Sequence, residues 1–326
     1  MVPVIDNVTF AKEFKPPESL YKANGRPFEY KGIVYSPKYF NGEIKRYEAN
    51  LRNLRLFMYP DKIYLANSLH KFWHGCNHND FFINEIGASL EAINNLTGIN
   101  WTDAVIKKIE YGCNIPANAP RVINSLRSYK GKDFQPMIST GTKYGASCGF
   151  EQYRVKGYDK EYQVMKLDKI CLNKPLFRWE VQVATAKYFN RFKQPLPITT
   201  GRLMDAEFLM LLKQDALNIF KNSIKMQKLQ LSKLTTHEKR IVAEMLNPEI
   251  RDDIKHHNKE TFKRDRRIYK KIMADKNICV NDDTLQIMDE KFTQLIQGEG
   301  PVTKIAHPTC NIVGNRGNIL PFSKAS

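Results

Sequence analysis

Three segments of the chain each have the pattern of a β-strand with one apolar and one polar face. They are residues 107–115 (KKIEYGCNI), 153–162 (YRVKGYDKEY) and 177–183 (FRWEVQV). Successive side chains on a strand point to opposite sides, so residues two positions apart share a face. This alternation is typical of antiparallel sheets that cover a core with one face and keep the other polar. The sequence therefore predicts an antiparallel sheet.

The polar faces of these segments carry side chains that can do chemistry: Glu110 and Asn114; Lys156, Tyr158, Lys160 and Tyr162; Arg178, Glu180 and Gln182. Glu110 and Glu180 could hold a divalent cation through carboxylate oxygens, with Asn114 as a third ligand. A tyrosine beside such a cation could attack phosphorus, because the cation stabilises the phenolate and makes the phosphorus more electrophilic. The alternative is an ordinary solvated sheet face without chemistry.

Further local patterns predict other elements of the first half. Residues 62–70 and 153–164 read as strands, and a helix is expected to begin after Asn79 or Asp80. Residues 141–147 (GTKYGAS) contain glycines but no Gly-Lys-Ser/Thr, so they read as a turn and not as a P-loop. No nucleotide cofactor is expected.

The patterns change character near residue 200, where Pro195 and Pro197 mark a break and helical periodicity follows. We predict an α+β fold: an antiparallel sheet with helices packed on one face, followed by a basic, mainly helical C-terminal part. Residues 1–200 are expected to form a catalytic domain and residues 201–326 a basic helical DNA-binding or accessory region. The last thirty residues, rich in Gly, Pro and Asn, are expected to be irregular.

The charge balance constrains the partners. The chain has 51 Lys and Arg residues against 34 Asp and Glu, a formal net charge of +17. Such an excess favours a polyanion, nucleic acid before an anionic membrane. The longest fully apolar run, residues 208–212, is far shorter than the roughly 20 residues that span a bilayer, and the start lacks the layout of a signal peptide. We therefore expect a soluble cytoplasmic protein without a membrane partner.

The densest basic cluster, residues 263–271 (KRDRRIYKK), lies in the C-terminal part. Clustered Lys and Arg on a helix are typical of phosphate contacts along DNA. The predicted DNA-binding residues of this cluster are Lys263, Arg264, Arg266, Arg267, Lys270 and Lys271. The alternative is a solvated helix surface.

Cysteines and histidines give no recognisable metal motif. The six cysteines include no C-x-x-C pair, so neither a disulfide framework nor a structural zinc site is expected. His70, His74 and His78 would share one face of a continuous helix and could then bind a metal. Gly75 and Asn77 argue against such a helix, so we expect polar loop histidines, one of them near an active site.

Four blocks of the chain, in order, resemble the replication-initiation proteins of filamentous phages (the gene II/gene X type). This family is related to staphylococcal-type rolling-circle plasmid initiators and to relaxases of some integrative elements. The blocks are residues 67–81 (NSLHKFWHGCNHNDF), 105–115 (VIKKIEYGCNI), 153–163 (YRVKGYDKEYQ) and 176–183 (LFRWEVQV). The opening, residues 4–10 (VIDNVTF), is also similar to the first strand of the family.

The resemblance implies a rolling-circle replication initiator in a bacterial host cell. Such an enzyme nicks one strand of a phage or plasmid origin with a tyrosine, using Mg²⁺ or Mn²⁺, and keeps the 5′-phosphate covalently. It leaves a 3′-hydroxyl primer and later rejoins the displaced strand. Its implied partners are origin DNA, double-stranded and then single-stranded, and the host helicase and polymerase. Because transesterification conserves the phosphodiester bond energy, joining needs no ATP.

The resemblance also implies residue roles. Tyr158 would be the nucleophile and Lys160 its companion, with Tyr162 as a competing or second nucleophile. The implied metal ligands are Glu110, Glu180, Asn114 and His70, and the DNA contacts near the site are Ser68, Lys71, Lys156 and Arg178. The family commonly has Asp at the position of Glu110, and plasmid relatives often have an acid at Asn114. Two alternatives remain: a relaxase of an integrative or mobilisable element, and a non-enzymatic origin-binding initiator.

Overall fold

An eleven-stranded antiparallel sheet forms the centre of the computed structural model, which describes residues 5–18, 23–172, 174–194, 196–225, 234–275 and 283–298. Across this sheet the strands follow the order β10-β11-β12-β13-β7-β1-β6-β5-β4-β3-β2, while β14-β8-β9 form a small second sheet. The strands are β1 (Asn7–Glu13), β2 (Phe28–Tyr30), β3 (Ile33–Phe40), β4 (Glu43–Leu51), β5 (Leu54–Met58), β6 (Lys62–Ser68), β7 (Val105–Ile115), β8 (Leu126–Tyr129), β9 (Lys132–Asp133), β10 (Gln135–Ser139), β11 (Thr142–Gly149), β12 (Tyr153–Asp159), β13 (Phe177–Val183) and β14 (Ile224–Lys225).

Helices separate some of these strands and make up most of the C-terminal part. They are α1 (Leu69–His74), α2 (Ile83–Thr97), α3 (Ala119–Ser125), α4 (Lys160–Leu167), α5 (Ala206–Asn222), α6 (Thr236–Leu246), α7 (Pro248–His257), α8 (Lys259–Asp275) and α9 (Asp283–Gln297), with 3₁₀ turns at Ala186–Phe192 and Thr200–Met204. Within the described ranges, no helix is both long enough and apolar enough to cross a membrane.

The apolar faces of β7 and β13 cover the main core. Tyr111 of β7 and Trp179 of β13 are fully buried there, beneath α5 and α9. The Trp179 indole donates a hydrogen bond to the carbonyl of Ala216 at 3.2 Å, and its ring meets Phe220 edge-on at 5.0 Å. The polar residues of β7 and β13 therefore lie on the opposite face of the sheet, away from this core. The predicted α+β fold, with a large antiparallel sheet and a helical C-terminal part, is confirmed.

A second, smaller core lies among α6 and α8, with buried Ile241, Met245, Tyr269 and Ile272. Helices α5 and α9 belong instead to the core of the sheet. The division of function at residue 200 stays a prediction. The predicted irregular segment at the end of the chain lies outside the described residues.

Two of the predicted strands are too long. The strand predicted over 153–164 ends at Asp159, whose side chain accepts a hydrogen bond from the amide of Tyr162 at 2.9 Å and caps α4. The prediction that Lys160 and Tyr162 continue the strand face of Tyr158 is therefore wrong. The strand predicted over 62–70 likewise ends at Ser68, whose hydroxyl caps α1 by accepting from the amide of Lys71 at 2.9 Å.

Two other local predictions also need correction. The helix predicted to begin after Asn79 or Asp80 begins at Ile83, because the Glu85 carboxylate accepts from the amide of Phe82 at 2.7 Å and fixes the first turn there. A turn was predicted over residues 141–147, but only the first of these residues lies in a turn, because β11 begins at Thr142. The glycines before and within β11 made the strand pattern difficult to recognise in the sequence.

Gly112 marks the closest approach of β7 and β13. It lies opposite Glu180 in the register, and a β-carbon added at this position would stand 1.9 Å from the carbonyl oxygen of Trp179. Because that neighbour is backbone in the centre of the sheet, it cannot move aside without disturbing both strands.

We expect Gly112→Ala to lower the free energy of unfolding by about 3 kcal/mol or more, through overpacking of the sheet. Gly149→Ala is the matched control, because its added β-carbon would meet its nearest atom at 3.8 Å. Chemical denaturation followed by circular dichroism measures both. Equal stability of the two variants would contradict the close approach.

Candidate active site

Three carboxylates lie close together on the polar face of the sheet, in or next to three adjacent strands. Asp6 precedes β1, Glu110 lies in β7 and Glu180 in β13, and β13-β7-β1 are adjacent in the sheet. One oxygen of each lies within 4.8 Å of those of the other two, and all three residues are buried. In the part of the chain that the structure describes, this is the one group of three or more His, Cys, Asp or Glu residues able to share a metal ion.

Two cations, the buried Arg178 and the half-buried Lys156, partly neutralise the acids. Arg178 places Nη2 3.0 Å from Asp6 Oδ2 and Nε 2.6 Å from Glu180 Oε1. Lys156 places Nζ 2.9 Å from Glu180 Oε2 and 3.6 Å from Glu110 Oε1. Three carboxylates face two cations, so one negative charge is left when all are ionised. The site therefore favours a further cation.

The pKa values of the two glutamates move in opposite directions. Burial alone would raise the pKa of Glu180, but the ion pairs with Arg178 and Lys156 outweigh it and lower that pKa to about 2. Burial raises the pKa of Glu110, and the neighbouring Glu180 carboxylate raises it further. Glu180 is thus a fixed anion, whereas Glu110 is the acid that gains most from a bound cation.

Amide and hydroxyl groups hold the carboxylates in place. Asp6 accepts hydrogen bonds from Ser68 Oγ and, at 2.7 Å, from Asn77 Nδ2. Glu110 accepts from Asn7 Nδ2 at 2.8 Å and from Gln182 Nε2. These contacts fix the orientation of the acids, as a layer of supporting residues does around a metal site.

Tyr158 is the tyrosine that the fold brings to the acids. Its hydroxyl donates a hydrogen bond to Glu180 Oε1 at 2.9 Å, and only 4% of the residue is exposed. Burial raises the pKa of this phenol well above its usual value. The phenol is therefore protonated in this state, and a cation beside Glu180 would favour its ionisation.

Lys160 begins α4 next to this tyrosine. Its Nζ donates to Asn77 Oδ1 and to Gln163 Oε1, both at 2.8 Å, and lies 6.0 Å from the centre of the Tyr158 ring. Burial lowers the pKa of this amine to about 7. Asn77 therefore joins Lys160 on one side to Asp6 on the other.

Tyr162 points elsewhere. It lies on α4, its hydroxyl donates to the carbonyl of Ser139 at 3.1 Å, and its ring stacks on Tyr144 at 5.7 Å. Thus the structure brings Tyr158, and not Tyr162, into hydrogen-bond contact with the acids.

The other two predicted metal ligands differ in their surroundings. Asn114 is buried opposite Arg178 in the register, and neither its side-chain oxygen nor its nitrogen has a hydrogen-bond partner. A buried unpaired amide is costly, so it fits a ligand that is still to bind. His70 lies outside the three-acid group: its ring stacks on Phe81 at 4.9 Å and neither nitrogen has a hydrogen-bond partner. Its role as a ligand stays a prediction.

Of the predicted DNA contacts near the site, Ser68 and Arg178 are buried and Lys156 is half-buried. Ser68, Lys156 and Arg178 contact the three acids, and Arg178 is fully buried. Lys71 is half-buried on α1, with Nζ 3.8 Å from Asp168 Oδ1. On α8 one predicted contact, Arg266, is half-buried, and five are exposed: Lys263, Arg264, Arg267, Lys270 and Lys271. All of these DNA contacts stay predictions.

Asp6 and Asn77 of the site were not predicted from the sequence. Asp6 is a polar residue inside the apolar alternation of residues 4–10, a signal that could have identified it. Asn77 lies in the loop after α1 and carries no comparable signal. Its position follows from packing.

We expect Asp6→Asn to weaken Mn²⁺ binding at least about 10-fold, since it removes one of three anionic ligands. Titration of the full chain with Mn²⁺, followed by electron paramagnetic resonance, measures this. The matched control is Asp61→Asn, which removes an exposed carboxylate in the turn before β6. Equal affinity of both variants for Mn²⁺ would exclude Asp6 as a ligand.

We expect His70→Phe to make the protein less sensitive to acid. Burial lowers the pKa of His70 well below 6.5, so below pH 6.5 the unfolded chain gains a proton that the folded protein does not. The wild type thereby loses up to about 1.4 kcal/mol of stability per pH unit below that point. Melting temperatures at pH 7.5 and 5.5, in EDTA, should fall less in His70→Phe. An equal fall, or weaker Mn²⁺ binding by the variant, would contradict a core histidine.

Comparison with solved structures gives a weak likeness. The fold is similar to the solved structure of a rolling circle replication initiator protein from Geobacillus stearothermophilus, with 12% sequence identity and a TM-score of 0.37, over 73% of this chain and 91% of that chain. No family model matches the chain, and no curated protein matches it. A likeness of this size supports no conclusion about activity.

Proposed function

We propose that the chain initiates rolling-circle replication by nicking and rejoining one strand of a phage or plasmid origin. The observation that carries this proposal is the hydrogen bond of Tyr158 to Glu180 within the group of three carboxylates. A tyrosine beside a cation site on a chain of net charge +17 suits attack on the phosphodiester of DNA.

The donor set fits a hard divalent cation, Mg²⁺ or Mn²⁺. Asp6, Glu110 and Glu180 offer carboxylate oxygens, and the unpaired amide of Asn114 could add a fourth oxygen. When bound, the cation would neutralise charge on the phosphate and favour the phenolate of Tyr158.

The reaction balances without an outside energy source. The Tyr158 oxygen forms a bond to phosphorus as the bond from phosphorus to the 3′-oxygen breaks. The phenolic proton is released to water as the bond to phosphorus forms, and the released 3′-oxygen takes up a proton from water. The products are a 5′-phosphotyrosine and a free 3′-hydroxyl. Joining is the reverse attack by a 3′-hydroxyl, which restores the phosphodiester and Tyr158.

We propose that access to Tyr158 involves a movement at the start of α4, where Lys160 Nζ lies 6.0 Å from the centre of its ring. The tyrosine is 4% exposed, and Lys160 at the start of α4 is held by its hydrogen bond to Asn77. Breaking this contact frees the segment that directly follows the nucleophile. We propose that DNA binding favours this opened arrangement, since the amine of Lys160 can then turn to a phosphate.

The exposed basic side chains of α8 are proposed to hold the duplex of the origin. Contacts with phosphates are not specific for sequence and weaken with salt. After nicking, the single strand, the host helicase and the host polymerase are the proposed partners. A relaxase of an integrative or mobilisable element would use the same tyrosine and acids.

We expect the purified chain, with Mg²⁺ or Mn²⁺, to nick supercoiled DNA that carries its own origin and to stay attached to the 5′ end. Tyr158→Phe should lose the covalent adduct entirely, because no oxygen is left to attack phosphorus. Tyr162→Phe is the matched control and should keep it. Denaturing gels of labelled DNA, with and without EDTA, measure the adduct.

Two other outcomes would contradict this assignment. An adduct that persists in Tyr158→Phe and disappears in Tyr162→Phe would show that the nucleophile is on α4. Tight origin binding by the wild type, without any nick in either metal, would favour a non-enzymatic initiator.

A further inference from the structure

Asn77 lies in the loop after α1 and contacts both the acids and Lys160. Its Nδ2 donates a hydrogen bond to Asp6 Oδ2 at 2.7 Å, its Oδ1 accepts from Lys160 Nζ at 2.8 Å, and its backbone carbonyl accepts from Arg178 Nη1 at 3.0 Å. We propose that Asn77 is a positioning residue that couples the cation site to Lys160, so that a cation at the acids and release of the Lys160 amine favour each other. The inference rests on the proposed function and names the residue through which its cation acts on the segment after Tyr158.

The side chain of Asn77 has one orientation that satisfies both neighbours. An amide offers a donor and an acceptor on one rigid plane. The donor faces a carboxylate and the acceptor faces an ammonium group. The reverse orientation would place oxygen against Asp6 and N–H against Lys160. Because the two ends of the plane turn together, a change in the contact with Asp6 also changes the contact with Lys160.

The contact with Asp6 is the one that a cation would weaken. Asp6 Oδ2 accepts two hydrogen bonds, one from Asn77 and one from the Arg178 guanidinium at 3.0 Å. These occupy both lone pairs of that oxygen. A cation that shares the carboxylate competes with the two donors. The neutral amide yields before the guanidinium, because hydrogen bonds from charged donors are about twice as strong.

The contact with Lys160 ties the start of α4 to another part of the chain. Lys160 Nζ donates to Asn77 Oδ1 and to Gln163 Oε1, both at 2.8 Å. Gln163 belongs to α4 itself, so it moves with the helix, whereas Asn77 belongs to the loop after α1. The Asn77 backbone is held by Arg178, so its amide can turn while the loop stays in place. Turning of the amide would therefore free the first turn of α4.

The coupling works in both directions. If a cation favours the release of Lys160, then release of Lys160 strengthens the binding of the cation by the same factor. A DNA phosphate that draws the amine away from Asn77 would thereby tighten the cation at the acids. Cation and DNA would then complete the site together rather than independently.

Hydrogen–deuterium exchange of the full chain, followed by mass spectrometry, measures the opening of α4 without DNA. The amide of Lys160 donates to the carbonyl of Leu176 at 2.8 Å and that of Tyr162 to the Asp159 carboxylate at 2.9 Å, so their exchange reports this opening. We expect saturating Mn²⁺ to speed exchange at residues 160–163 about 5-fold, the low end of couplings between two sites. Electron paramagnetic resonance establishes saturation for each variant.

Two substitutions separate coupling from simple loosening of the helix. Asn77→Ala should speed exchange at residues 160–163 without metal and abolish the further effect of Mn²⁺. Gln163→Ala is the matched control: it removes the other acceptor of Lys160 Nζ but leaves the path to Asp6, so the effect of Mn²⁺ should persist. The ratio of rates with and without Mn²⁺ cancels any change in intrinsic exchange. A merely structural Asn77 would change the basal rate and leave this ratio unchanged.

The proposal would be overturned by wild-type exchange at residues 160–163 that saturating Mn²⁺ leaves unchanged or slows, whether or not the variants fold. A Mn²⁺ effect retained in Asn77→Ala, or lost equally in Gln163→Ala, would also overturn it. The measurement needs neither DNA nor a nick. A chain that shows the coupling but forms no adduct with its origin would therefore refute the nicking function alone, and a chain that nicks without the coupling would refute only the role of Asn77.

Discussion

The buried guanidinium of Arg178 is the interaction on which the candidate site depends. It contacts the carboxylates of Asp6 and Glu180 and donates to the carbonyl of Asn77 at 3.0 Å. These partners come from the segment before β1, from β13 itself and from the loop after α1. One fully buried cation therefore ties three parts of the chain together, and its loss would leave two carboxylates without their closest counter-charge.

The same arrangement explains how three acids can be buried close together. Arg178 and Lys156 lower the cost of burying the carboxylates, but they leave one negative charge in excess. A fully neutralised cluster would give a stable core without affinity for a cation. Asn114 adds to the same polar face a buried amide without a hydrogen-bond partner, which carries a cost in the folded protein.

The sequence predicts the parts of the site that depend on local periodicity. Alternation in β7 and β13 identifies Glu110, Asn114 and Glu180 as sharing the polar face, and the structure places them there. It could not place Asn77, because a loop reaches the site only through the packing of α1 against α2. The strand prediction around Tyr158 ran too far because Lys156, Tyr158, Lys160 and Tyr162 alternate like a strand. The Asp159 cap overrides that pattern.

The junction between β12 and α4 places Tyr158 next to a buried amine. Tyr158, the capping Asp159 and the buried Lys160 are consecutive, so the phenol oxygen, the start of a helix and a buried amine belong to one short stretch of backbone. Only 4% of Tyr158 is exposed, so its hydroxyl can meet a bound molecule only after a neighbouring group moves. Lys160 is one such neighbour, and its release from Asn77 would be a local opening of the chain with its own free energy.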